Sequence, residues 1–363
     1  MNVEERNAFA RQYVTEELDK AKQRSENDFL DLDGIDELQS ILDDLINVKA
    51  KGFRGLVLTA IVGLQIDPAY EPLTKFYDAN PRSIFEKGIF YALRGRVPSG
   101  KSDPLNVAKN TNVIDENWAR GRRPEKAAFA AVNYLRKIMS APSAQRQQLI
   151  DFFFYRLLVY GHSVSSIKIK VPKKDQLSNQ EFARVCNRFI EEFPESGTVP
   201  QFVIFKLIEA VYAQSSLSIE GGLESVFGTN TTSNKPADIW IETDDGKPVN
   251  LFEVTVKTVD EKRLDDCVDS LDAMNILDLP VQFICRLPQD VASLTDFSNN
   301  TANVHGKHFD FQDIKEFVRS LSSLLSQAQI SALLNDFSLF ISDVERPIST
   351  KEGWNKILSD IDL

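Results

Sequence analysis

The chain has 363 residues, enough for two domains, and its 42% hydrophobic content can fill a complete core. Charged residues make up 26% and the net charge is −11, an acidic balance that argues against indiscriminate attachment to nucleic acid. No apolar run reaches the roughly 18 to 20 residues that a membrane-crossing helix needs, and Met1 to Arg11 is charged where a secretory signal would be apolar, so a cytoplasmic location is the default expectation.

The first 165 residues read as helical. Glu4 to Gln23 is polar with sparse apolar positions. Asp33 to Lys49 carries Ile35, Leu38, Ile41, Leu42, Leu45 and Ile46 at spacings of three and four, the stripe of an amphipathic helix. Gly55 to Leu64 is apolar on all sides and reads as buried. Asn80-Pro81 opens a helix from Arg82 to Leu93, an irregular basic stretch runs from Arg94 to Arg123, and Pro124 starts a helix through Ile138. A further helix covers Ser143 to Tyr160.

The pattern changes near residue 165. Ser165 to Val171 alternates and predicts a short strand. Helices are expected over Leu177–Phe193 and Pro200–Gln214, followed by loop signals at Gly221-Gly222 and from Gly228 to Asn234. Ala237–Glu242 and Asn250–Lys257 read as antiparallel strands joined at Asp244-Asp245-Gly246. A helix over Glu261–Met274, a strand over Val281–Arg286 and a helix over Gln312–Leu325 follow. The expected architecture is α/β: a helical region over 1–165, then a mixed sheet flanked by helices over 166–363.

Cys186, Cys267 and Cys285 have no metal-ligand spacing and read as reduced, buried thiols. His305-Gly-Lys-His308 offers two ligands in a loop, too few for a metal site by itself. The overall acidity hides an asymmetry. Pro81 to Ile150 holds thirteen Lys and Arg against five Asp and Glu, a local +8 that leaves −19 for the remainder. Such a stretch can grip a polyanion locally, or its charges can be spread over several helix faces.

The chemistry concentrates at the hairpin. Side chains alternate along a strand, so Leu251, Glu253, Thr255 and Lys257 share one face while Phe252, Val254 and Val256 share the other. Folding at Asp244–Gly246 brings Asp238 toward the end of that polar row. Two carboxylates suit Mg²⁺, a hard ion that favours oxygen ligands. A neighbouring lysine suits the charge that builds on phosphate oxygens.

Pro236-Ala237-Asp238 followed by Glu253-Val-Thr-Val-Lys257 resembles the signature of the PD-(D/E)xK nucleases, a family that includes most type II restriction endonucleases. The resemblance implies a mixed sheet flanked by helices with the motif on a hairpin, Mg²⁺ as cofactor, double-stranded DNA as substrate, and a homodimer cutting a palindromic site. It implies Asp238 and Glu253 as metal ligands, Lys257 as the residue that orients water, and Glu209 as an assisting acid from the preceding helix. Thr255 departs from the pattern, since an acid usually stands two residues before the lysine. The segment Phe53 to Leu135 resembles restriction endonucleases of the SacI type. On that reading Arg94, Arg96, Lys101, Lys109, Arg120, Arg122 and Arg123 are candidate DNA contacts.

Gly95-Arg-Val-Pro-Ser-Gly100-Lys101-Ser102 also fits the phosphate-binding pattern G-x-x-x-x-G-K-[ST]. That motif needs a buried strand before it and a helix after it, whereas the lead-in reads as an amphipathic helix and Pro104 follows closely. A nucleotide hydrolase built on this loop is one rival. A non-catalytic DNA-binding protein on a degenerate nuclease fold is another. Trp118, set among charges, reads either as a DNA contact or as an anchor to the core.

Overall fold

The computed structural model describes residues 1–172, 177–222, 235–276 and 278–361. The chain forms two compact units: residues 1–168 with 342–348, and residues 169–341 with 349–363. The second half is thus not continuous, because a short C-terminal segment belongs to the first unit. No helix among the described residues is long and apolar enough to cross a membrane.

The first unit is built from helices α1 (Val3–Ala21), α2 (Ile35–Ile46), α3 (Gly52–Ile66), α4 (Glu125–Ser140) and α5 (Ser143–Ser165), with shorter helical pieces between. The α2 stripe buries Leu38, Leu42, Leu45 and Ile46, while α3 is buried on nearly every side. The helix expected over Arg82–Leu93 is present from Pro81 but widens into a π turn at Phe85–Ile89. Gly161 of α5 packs against the backbone at Arg96, where a Cβ would fall 2.0 Å from the Arg96 carbonyl oxygen. Trp118 is buried, and its indole N–H donates to the Val107 carbonyl at 3.2 Å, so it anchors the irregular segment to the core.

The second unit is a mixed α/β layer structure. Among its described residues, strands β1 (Ser218–Glu220), β2 (Ile239–Glu242), β3 (Pro248–Val254), β4 (Val281–Cys285), β5 (Thr301–Val304) and β6 (Lys307–Asp313) form one sheet in the order β1-β2-β3-β4-β6-β5. β1, β2 and β3 are antiparallel neighbours, β3–β4 and β4–β6 are parallel, and β5–β6 is antiparallel. One face packs on α6 (Asn179–Glu192), α7 (Thr198–Tyr212), α9 (Ile314–Ser323), α10 (Gln327–Ser342) and α11 (Ile348–Asp360). The other is roofed by α8 (Glu261–Ala273), the crossover that a parallel β3–β4 pair requires.

Alternation along the strands divides the two cores. Ile239, Ile241, Phe252 and Val254 face the larger helical layer, and Leu251, Val281, Phe283 and Cys285 face α8. The three cysteines are buried and unpaired.

One expectation needs correction. No strand forms over Ser165–Val171: Ser165 ends α5, the Lys170 N–H donates to Asn355 Oδ1, and its carbonyl accepts the Trp354 indole N–H. Those partners come from a helix, so the backbone groups are satisfied without a sheet neighbour. His305 and His308 flank a hairpin turn, with His305 and Gly306 both at positive φ, and their rings meet Asp265 and Asp310. The loop signal from Gly228 to Asn234 lies outside the described residues.

Candidate active site

The hairpin register fixes the site. Ile239 pairs with Phe252 and Trp240 with Leu251, so continuing the ladder by one step sets Asp238 opposite Glu253. Both carboxylates then fall on the sheet face beneath α8. The Asp238 carboxylate accepts the Val254 N–H at 3.0 Å and shares a side-chain hydrogen bond with Glu253. Glu253 is buried at 3% exposure, and Asp238 retains 19% of its side-chain surface.

A cleft of about 300 Å³ opens at this point, lined by residues that include Gln201, Asp238, Glu253, Thr255, Lys257, Arg263 and Cys267. Strand β3 ends at Val254, and the Thr255 N–H still reaches the Ile284 carbonyl at 3.0 Å. The chain then turns outward, which leaves Lys257 exposed. The Thr255 hydroxyl accepts the Lys257 N–H at 3.1 Å, so it fixes the backbone from which the lysine projects.

Two residues of the cleft escaped the sequence reading. Arg263, in the first turn of α8, puts Nη2 3.3 Å from Glu253 Oε2 and 3.9 Å from Asp238 Oδ2, and donates from Nη1 to Thr255 Oγ1 at 3.2 Å. Gln201, in the first half of α7, is only 2% exposed, and its amide has no hydrogen-bond partner among the described residues.

Electrostatics follow from this packing. Burial raises the Asp238 carboxyl above the ordinary aspartate value, against the pull of the Val254 N–H and the Arg263 charge. Burial disfavours the Arg263 cation, yet the facing Glu253 and Asp238 carboxylates outweigh it and hold its pKa above the usual arginine value. Burial also raises the Cys267 thiol well above the usual range, so it is a neutral wall of the cleft rather than a nucleophile.

No protein-family model matches the chain, and no curated protein matches it.

Among the described residues no group of three or more His, Cys, Asp or Glu gathers with metal-ligating geometry. A cation here would rest on Asp238 and Glu253, with water completing its shell. Two neighbouring carboxylates of partly buried character do fit a hard divalent ion, since they otherwise need a proton or another cation to coexist.

Glu209 is not part of this group. It is exposed on α7 and pairs with Lys206 at 2.7 Å, and Lys206 also reaches Asp336. It stands eight residues beyond Gln201, which is about 12 Å along a helix axis, so the helical polar residue at the cleft is Gln201.

The basic residues of the first unit divide by environment. Arg94, Lys101, Lys109, Arg120 and Arg123 are exposed. Arg96 is tied to Asp19 at 2.8 Å, and Arg122 lies over the Trp118 ring at 5.6 Å. The Gly95–Ser102 segment is preceded by the helix Phe90–Leu93, not a strand, and internal carboxylates already take two of its N–H groups. Gly100 N–H donates to Asp103 and Ser99 N–H to Glu345, both at 2.6 Å, while the Ser102 hydroxyl donates to Glu86 at 2.7 Å. Groups that would cradle a phosphate are therefore engaged with the protein's own anions.

Proposed function

We propose that the second unit hydrolyses DNA phosphodiesters with Mg²⁺-activated water, as a type II site-specific endonuclease of the PD-(D/E)xK kind. The observation that carries this reading is the pairing of Asp238 with Glu253 across the β2–β3 hairpin, at the same cleft as Lys257. The mixed sheet with helices on both faces agrees with what the resemblance implies, with Asp238 and Glu253 at the open end of the hairpin and Lys257 three residues beyond the end of β3.

Asp238 and Glu253 would hold the cation. When bound, Mg²⁺ lowers the pKa of a water and polarises the scissile phosphate. Lys257 would orient that water and offset charge developing on the phosphate oxygens. Thr255 acts through the backbone, keeping Lys257 at the rim. Gln201 offers both a donor and an acceptor from the cleft wall, suited to fixing a water. The exposed cations Arg94, Lys101, Lys109, Arg120 and Arg123 are proposed to bind the DNA backbone. A symmetric homodimer acting on palindromic sites, a SacI-like specificity class and restriction of foreign DNA in the cytoplasm belong to the same proposal.

A second reading draws on Thr255 and Arg263: an acid is replaced and the remaining pair is already neutralised, as in a DNA-binding protein that has lost catalysis. Digestion of a sequenced plasmid with Mg²⁺, followed by sequencing of the ends, separates the two. The nuclease reading expects discrete ends at one sequence. Bound but uncut plasmid selects the non-catalytic reading.

A further inference from the structure

The site holds one more cation than a carboxylate pair and a water-orienting lysine require. Arg263 begins α8, where its own N–H is taken by the Asp260 cap at 2.9 Å. A cation in the first turn of a helix opposes the helix dipole, so the position is not chosen for helix stability. Its guanidinium lies 5.8 Å from the centre of the Phe283 ring and reaches Glu253, Asp238 and Thr255 on the other side. It lines the cleft, with 30% of its side chain still exposed.

We propose that Arg263 is an exchangeable counter-ion, which neutralises Asp238 and Glu253 while no metal is bound and passes to a substrate phosphate when a divalent cation replaces it. The inference rests on reading the cleft as a metal-dependent phosphodiesterase site. A cation seated on those two carboxylates would stand within a few ångströms of the guanidinium, and in a partly buried cleft like charges at such a separation repel strongly. The arginine is attached at the cleft wall by a long, flexible stem, so it can leave the carboxylates without unfolding α8. A planar guanidinium also matches a phosphodiester anion, to which it donates two parallel hydrogen bonds. The carboxylates thus keep a positive partner before and after the metal enters, and the arginine keeps a negative one once DNA is present. A fixed arginine that merely orients Glu253 would have the same geometry in the metal-free protein but a different response to metal.

The test titrates Mn²⁺ into the full chain without DNA, for wild type, Arg263→Gln, Arg263→Lys and Asp238→Ala, and measures duplex binding in Ca²⁺. Arg263→Gln is expected to bind Mn²⁺ about tenfold more tightly than wild type, Arg263→Lys to stay within about threefold of wild type, and Arg263→Gln to bind duplex about tenfold more weakly, shifts in the usual range for coupled sites. Mn²⁺ affinity in Arg263→Gln equal to or below that of wild type overturns the exchange while leaving the metal site standing. Mn²⁺ that binds none of the four proteins, or binds Asp238→Ala as well as wild type, removes the metal reading and the exchange with it. Should Arg263→Gln fail to fold, the wild-type side-chain N–H resonance of Arg263, assigned by its loss in Arg263→Lys, serves instead. Saturating Mg²⁺ is expected to move it and speed its exchange with water, and an unchanged resonance counts against the proposal.

Discussion

Each unit buries a pair of acids, and the two pairs are put to different uses. In the first unit, Asp103 and Glu345 sit beneath the Gly95–Ser102 loop and accept the N–H groups of Gly100 and Ser99, with Lys51 3.2 Å from Glu345. Burial pushes the Asp103 carboxyl up to about 6 and raises Glu345 as well. These acids pin a loop, although Glu345 Oε1 and the Ser99 hydroxyl beside them are buried without a hydrogen-bond partner. In the second unit, Asp238 and Glu253 border a cleft that also holds an exposed lysine, an arginine and the amide of Gln201. Burial is common to both pairs, and it raises the carboxyl pKa of Asp103, Glu345 and Asp238. The second pair is distinguished by the open cleft beside it, with an exposed lysine at its rim, where a hard cation and a phosphate have room to sit.

The contrast breaks most sharply at the catalytic pair. Asp238→Ala and Lys257→Ala should each slow plasmid cleavage about a thousandfold, equivalent to about 4 kcal/mol of barrier, while DNA binding in Ca²⁺ survives. Rapid cleavage by either variant would put the two acid pairs on the same structural footing. A smaller effect is expected at Asp103. Its folded pKa of about 6 lies above the ordinary 3.8, so its contribution to stability is present below 3.8 and lost as pH rises through about 6. Asp103→Asn keeps an acceptor for the Gly100 N–H and removes the charge. Relative to wild type it should gain on the order of 3 kcal/mol between about pH 4 and about pH 7 in denaturant melts, with cleavage unchanged; a flat difference contradicts the assignment.

Gln201→Leu sharpens the contrast. Losing the cleft-facing amide should slow cleavage about tenfold or more while leaving stability within about 1 kcal/mol. Loss of stability together with full activity would assign Gln201 to the core. Smallest is Glu209→Ala, which removes an exposed ion pair and should change stability by less than about 1 kcal/mol, with no change in cleavage rate.

What the sequence reveals follows from how far each residue lies from its partners along the chain. The α2 stripe and the uniformly apolar α3 repeat local rules, and the hairpin with its turn at Asp244–Gly246 is legible too, but a register shift between Ile241 and Glu242 is what sets Asp238 opposite Glu253, and no local pattern shows it. Hairpin β5–β6 is legible in principle from the alternating Phe309 and Phe311 after His305-Gly306, but the alternation is short and the segment carries no expected strand. Ser165–Val171 alternates without becoming a strand, because α11 side chains take its hydrogen bonds. Arg263 and Gln201 stand on helices, and no local rule says which helical residue meets a given strand. Their signals were a cation in a helix's first turn and a lone amide in an otherwise apolar half-helix. Glu209 is the acid that α7 offers, but its distance along that helix from Gln201 removes it from the site.

The central claim is that the carboxylates of Asp238 and Glu253 together hold a divalent ion. Crystals soaked in Mn²⁺ and measured at the manganese absorption edge test it most directly. One anomalous peak is expected about 2.2 Å from an oxygen of each carboxylate, disappearing in Asp238→Ala. An empty cleft, or a peak bound elsewhere while these two side chains remain on Arg263, would contradict it.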